Sequence, residues 1–135
     1  MSETKNVKVR LHNGTIKECA IAISGGPPWK LLFNGIELAA QEFFGEDLFE
    51  ALNALRRALE NIGAQLLCAG ARPDVFPSGM ARGMGGGRKA YITKIGAPAF
   101  RTDLVDIFDY VGPELVGTVA QQKAFHDKWA ESFRK

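Results

Sequence analysis

Leu48, Leu52, Leu55, Leu59 and Ile62 recur at a 4-3-4-3 spacing, which draws one apolar stripe along an α-helix. Glu46, Asp47 and Glu50 sit in its first turns, where carboxylates complement the helix dipole, and Gly63 stands at its natural stop. A helix with one apolar side must bury that side against another layer. The upstream segment supplies one. Val7, Val9 and Leu11 alternate with Lys8, Arg10 and His12, the period-2 pattern of a half-buried strand. Asn13-Gly14 then marks a turn into a second strand over Thr15–Ser24. Charge favours a three-residue bulged loop that sets Arg10 opposite Glu18, Val9 opposite Cys19 and Val7 opposite Ile21.

Gly25-Gly26-Pro27-Pro28 cannot continue a ladder and reads as a loop. Trp29–Phe33 and Ile36–Gln41 flank Asn34-Gly35, the pattern of a second hairpin. Past the helix, Gln65–Ala69 reads as a short strand, Arg72–Gly87 as a long surface loop and Lys89–Ile95 as a strand returning to the sheet. Asp103–Val111 can be read two ways. Its β-branched content favours a strand, but Asp103, Asp106 and Asp109 fall on one side at helical spacing, with Leu104, Ile107, Phe108 and Val111 on the other, so a short helix is expected. Thr118 with Gln121 resembles a capping box, and Phe125, Trp129 and Phe133 form the stripe of a last helix. The expected fold is a single α+β domain over residues 1–135. It has a mostly antiparallel sheet of two hairpins plus later strands, two main helices on one face, and a Gly/Arg-rich loop over about 72–88.

With 135 residues and 46% hydrophobic content, the chain is long enough to bury a core without disulfide or metal staples. A net charge of +2 argues neither for nucleic acid nor for an anionic membrane. No apolar run reaches the roughly 18–20 residues of a membrane helix, and MSETKNVKVR lacks the apolar stretch of a secretory signal. Cys19 and Cys68 have no Cys-x-x-Cys company and are expected as free, buried thiols in a reducing cytoplasm.

Chemistry-bearing patterns are sparse. Gly83-Met84-Gly85-Gly86-Gly87-Arg88-Lys89 invites comparison with a phosphate loop, but Ala90 stands where the Mg-binding hydroxyl belongs, and a strand pattern follows in place of a helix. Arg82, Arg88 and Lys89 could still hold phosphates, so a nucleic-acid- or phosphate-binding module is the alternative reading. His12 and His126 have no carboxylate or nucleophile tied to them, and Ser24 and Ser78 lie in no nucleophile elbow. No catalytic residue, cofactor or metal ligand is therefore assigned. Charge is segregated: residues 71–101 carry +5, while 37–60 and 102–117 each carry −4, a division that suits steering of a macromolecular partner.

Three stretches, Phe76–Tyr91, Asp103–Asp109 and Pro113–Phe125, together resemble small bacterial immunity proteins of contact-dependent growth inhibition and related polymorphic-toxin systems. The resemblance covers roughly residues 48–135 and implies a stoichiometric, non-enzymatic inhibitor that binds a cognate toxin domain in the cytoplasm. Candidate partner contacts are Glu46, Asp47, Glu50, Asp103, Asp106 and Asp109 as an acidic face, with Met80, Arg82, Met84 and Arg88 on the loop. No membrane and no small-molecule substrate is expected.

Overall fold

A computed structural model describes residues 2–35, 40–78 and 85–132. It shows the expected α+β architecture, in which helices pack against antiparallel sheet. Five strands form the larger sheet: β1 (Ser2–Arg10), β2 (Ile16–Ser24), β3 (Trp29–Asn34), β4 (Gln41–Gly45) and β5 (Gln65–Leu66), in the order β4-β3-β2-β1-β5. A second sheet has the order β6 (Val75–Phe76), β7 (Lys89–Ile92), β8 (Leu104–Asp106). Among the described residues the two long helices are α1 (Leu48–Glu60) and α2 (Val119–Glu131).

The first hairpin keeps the expected faces but slides along by two residues. Val7 lies opposite Cys19, Lys8 opposite Glu18 and Arg10 opposite Ile16, so the bulged three-residue loop is not formed. The connection spans residues 11–15, closed by Leu11 N–H to the Thr15 carbonyl and by Thr15 N–H to Asn13 Oδ1. Glu18 still meets a cation directly across the ladder, but that cation is Lys8. Arg10 turns to the other neighbour, where its guanidinium donates to Gln65 Oε1 at 2.9 Å. Because the slip is two residues, no side chain changes face. Val7, Val9, Cys19, Ile21 and Ile23 all point into the core.

In the second hairpin the partner of β3 is Gln41–Gly45, later than the expected Ile36–Gln41; residues 36–39 lie outside the described residues. Leu31, Phe33 and Phe43 face inward. Asp47 caps α1, its Oδ1 accepting from Glu50 N–H at 2.8 Å. Leu48, Leu52, Leu55 and Leu59 are buried as the stripe requires, but Ile62 lies beyond the helix and is 38% exposed. The chain has already turned there, through Gly63 at φ +75°.

The largest departures follow α1. Gln65–Ala69 is strand only over Gln65–Leu66, and Ala69–Ala71 is a 3-10 turn. The long loop contains β6, and residues 79–84 lie outside the described residues. Strand β7 returns not to the large sheet but to β6 and β8. The helix expected over Asp103–Val111 is absent: a 3-10 turn at Arg101–Asp103 leads into β8. Backbone partners from elsewhere decide this. Ile107 N–H donates to the Arg88 carbonyl, while Ala69 and Gly70 N–H donate to the carbonyls of Asp109 and Ile107. Those long-range bonds use groups a helix would pair internally, and Val105 and Ile107 favour the extended form. The capping box of α2 is formed as expected, with Thr118 Oγ1 accepting from Gln121 N–H and Gln121 Oε1 from Thr118 N–H. Phe125 and Trp129 are half-buried, and Phe133 lies outside the described residues.

The layers touch closely at Gly70. A methyl group there would lie 2.5 Å from Leu52 Cδ2, 2.9 Å from Ile107 Cβ and 3.1 Å from the Ile107 carbonyl oxygen. Leu52 can rotate away; the Ile107 backbone cannot. Gly70→Ala is expected to cost about 1–3 kcal/mol as overpacking, read as a lower urea midpoint with an unchanged m-value.

Candidate protein-interaction site

Side chains alternate along a strand, so residues that bury Ile21, Ile23, Leu31, Phe33 and Phe43 against α1 turn their neighbours outward. The outward set on β2, β3 and β4 is Ala22, Ser24, Lys30, Leu32, Glu42 and Phe44. Leu32 is 40% exposed and Phe44 52% exposed. Small Ala22 and the Gly25–Pro28 loop leave a hollow of about 710 Å³ lined also by Ser24, Lys30, Leu32 and Glu42. Lys30 reaches diagonally to Glu42, N to O 3.0 Å, with both side chains nearly half exposed. That ion pair crosses between the side chains of Leu32 and Phe44, since Lys30 lies opposite Phe44 and Leu32 opposite Glu42. Glu46 and Glu50, both exposed, follow where β4 runs into α1. Glu50 Oε1 accepts from Glu46 N–H at 3.2 Å, and among the described residues neither carboxylate has a salt-bridge partner.

The other expected contacts do not form one face. Asp47 is 4% exposed and is committed to the α1 cap. Asp103 closes its own turn, Oδ2 accepting from Phe100 N–H. Asp106 accepts from Phe108 N–H and from Arg88, and Asp109 lies 3.5 Å from Lys5. The three aspartates are thus not aligned along a helix. Met80, Arg82 and Met84 lie outside the described residues.

Arg88 is anchored. Its Nη1 and Nη2 donate to the two Glu3 carboxylate oxygens at 2.8 and 3.0 Å, and Nε donates to Asp106 at 3.0 Å. Gly86 and Gly87, just before it, are closely packed, while Gly85 is open to solvent. The Gly86 carbonyl accepts from Leu48 N–H at the start of α1, and a Cβ on Gly86 would meet the Trp29 ring at 2.5 Å. A Cβ on Gly87 would meet the Asp47 carboxyl at 2.9 Å. Over 85–88 the glycine run therefore closes onto the protein's own helix N-terminus. His12 is exposed in the chain after β1, while His126 stacks on Phe76 with ring centroids 3.7 Å apart. Among the described residues no group of three or more His, Cys, Asp or Glu side chains is placed to hold a metal ion. Both cysteines are free, and burial pushes the Cys68 thiol up to about 11. No helix among the described residues is long and apolar enough to cross a membrane.

No protein-family model matches the chain, and no curated protein matches it.

Two sets of residues escaped the sequence reading. Leu32 and Phe44 were legible in principle, since an apolar residue out of phase with Leu31, Phe33 and Phe43 must face outward. Arg56 stands between the stripe positions Leu52 and Leu59 and one residue from Leu55, so its place on the buried side of α1 was also legible.

The Arg88 bridge has a titration signature. The Arg88 hydrogen bonds, and then its charge, hold the Glu3 carboxyl below its ordinary value of 4.5. A depressed carboxyl stabilises the fold above that ordinary value, and the contribution fades as acid takes the pH below it. In Arg88→Gln the Glu3 midpoint, followed by carboxyl NMR, is expected to rise towards 4.5; an unmoved midpoint would show that the bridge does not form.

Proposed function

We propose that this chain is a non-enzymatic binding protein that acts in the cytoplasm by neutralising a cognate toxin domain, as immunity proteins do. The observation that supports this most is the outward face of β2–β4, where Leu32 and Phe44 are exposed on either side of the Lys30–Glu42 ion pair and a hollow opens beside Leu32. Protein-binding patches combine apolar and aromatic side chains with polar groups, and an aromatic that becomes buried on binding supplies much of the affinity. The resemblance of Phe76–Tyr91, Asp103–Asp109 and Pro113–Phe125 to immunity proteins points the same way. The partner is a protein domain that covers this face, with basic groups meeting Glu46 and Glu50; occupation of its active site or substrate groove stops its activity. The inhibitor needs no bond-making residue of its own for this.

The product of the reading frame that neighbours this chain's gene is the natural ligand to test. Co-expression is expected to yield a 1:1 complex and to rescue growth. Leu32→Glu and Phe44→Lys are each expected to weaken binding at least about tenfold while leaving the unfolding free energy from urea titration within about 0.5 kcal/mol of wild type, as surface changes do. Failure both to recover a complex and to rescue growth overturns the reading.

A further inference from the structure

Helix α2 is attached to the body in an unusual manner. Its one buried residue is polar, Gln122, and none of its side chains belongs to the hydrophobic core. Gln122 Oε1 accepts from Arg56 Nη1 at 2.7 Å, and its Nε2 lies 2.8–2.9 Å from the carbonyl oxygens of Gly70, Arg72 and Val75. Further polar bonds join α2 to the body. Val119 N–H donates to Glu60 Oε2, Trp129 Nε1–H to the Ala97 carbonyl, and Gly96 N–H to Ser132 Oγ. His126 adds its stack on Phe76.

Arg56 decides how such a junction behaves. It is 2% exposed, and its hydrogen-bond acceptors are the neutral oxygens of Asn53, Gly70, Ala71, Gly117 and Gln122. A guanidinium held out of water without a carboxylate gains hydration when it is uncovered. Lifting α2 admits water to that group and to the carbonyls around it, so the separated surfaces are resolvated. Separation of an apolar interface brings no such return.

We infer that α2 is a polar-latched strap, able to leave the body as a unit while α1 and both sheets stay folded. Its departure unroofs the groove of about 260 Å³ between the helices, where Phe49, Asn53, Arg57 and Phe76 form the wall opposite His126. This inference is independent of the outer sheet face and of any toxin partner.

Native-state hydrogen exchange on the full chain tests it. The amides of Ala124–Trp129 are expected to exchange at least about tenfold faster than those of Ala51–Leu59, as a separate low-stability unit would. Gln122→Ala is expected to speed the first set at least about tenfold more and leave the second unmoved. Glu60→Gln, which weakens the anchor at Val119 and leaves Gln122 in place, is expected to act in the same direction with a smaller effect. Equal protection of both helices in the wild type, equal acceleration in the variants, or an α2 that ignores Gln122→Ala each overturns the inference.

Discussion

The junction of this molecule depends on a guanidinium held by neutral oxygens. Arg56 emerges from the buried side of α1 and contacts its own helix, the 69–71 turn, Gly117 and α2. Carbonyl dipoles must be aimed to solvate a buried cation, so the paths of those segments are set together. Gln122 suits the centre of the array because one amide offers an oxygen that accepts from Arg56 and two N–H groups shared among three carbonyls. A carboxylate there would satisfy the cation and repel the carbonyls; an aliphatic side chain would satisfy neither. Burial pushes the Arg56 pKa down, yet a guanidinium stays charged in proteins, so the geometry and not deprotonation accommodates it.

Around this point the two sheets differ in origin. The larger one is assembled from neighbours in sequence, β1 with β2 and β3 with β4, and it wraps one face around α1 while the other looks into solvent. The smaller one is gathered from distant pieces, with β7 lying between β6 and β8. Gln65–Gly70 links the two: Leu67 N–H donates to the Lys8 carbonyl on one side, and Ala69 and Gly70 reach Asp109 and Ile107 on the other. The division of labour follows from that layout. The large sheet closes its apolar face over α1, and its outward face on β2–β4 carries two of the exposed large hydrophobic side chains, Leu32 and Phe44.

Elements whose pattern is local were legible in the sequence. The leucine stripe of α1, the alternation of β1 and the Thr118–Gln121 box all appear as their spacing requires, because short-range sterics and hydrogen bonds decide them. Where tertiary partners compete, local pattern fails. At 103–109 the three-residue spacing of the aspartates suggested a helix face, but each carboxylate serves a different neighbour: Asp103 its own turn, Asp106 Arg88 and Asp109 Lys5. The hairpin register shows the same limit. Charge pairing correctly asked for a cation opposite Glu18 but could not choose between Arg10 and Lys8, since the competing claim of Gln65 on Arg10 comes from a strand more than fifty residues away. Of the candidate contacts, Glu46 and Glu50 are outward-facing, whereas Asp47 is withdrawn into a cap that sequence alone does not distinguish from an exposed first-turn acid.

The triplet Gly85-Gly86-Gly87 has the composition of a spacer, and a protein engineer would choose it to host an insertion or a tag. Its surroundings argue the opposite. Trp29's indole fills the space a side chain on Gly86 would need, the Asp47 carboxylate does so at Gly87, and the first amide of α1 hangs on the Gly86 carbonyl. Gly86 and Gly87 are fitted parts, and a graft between them would pry the indole from its seat and unseat the helix end together.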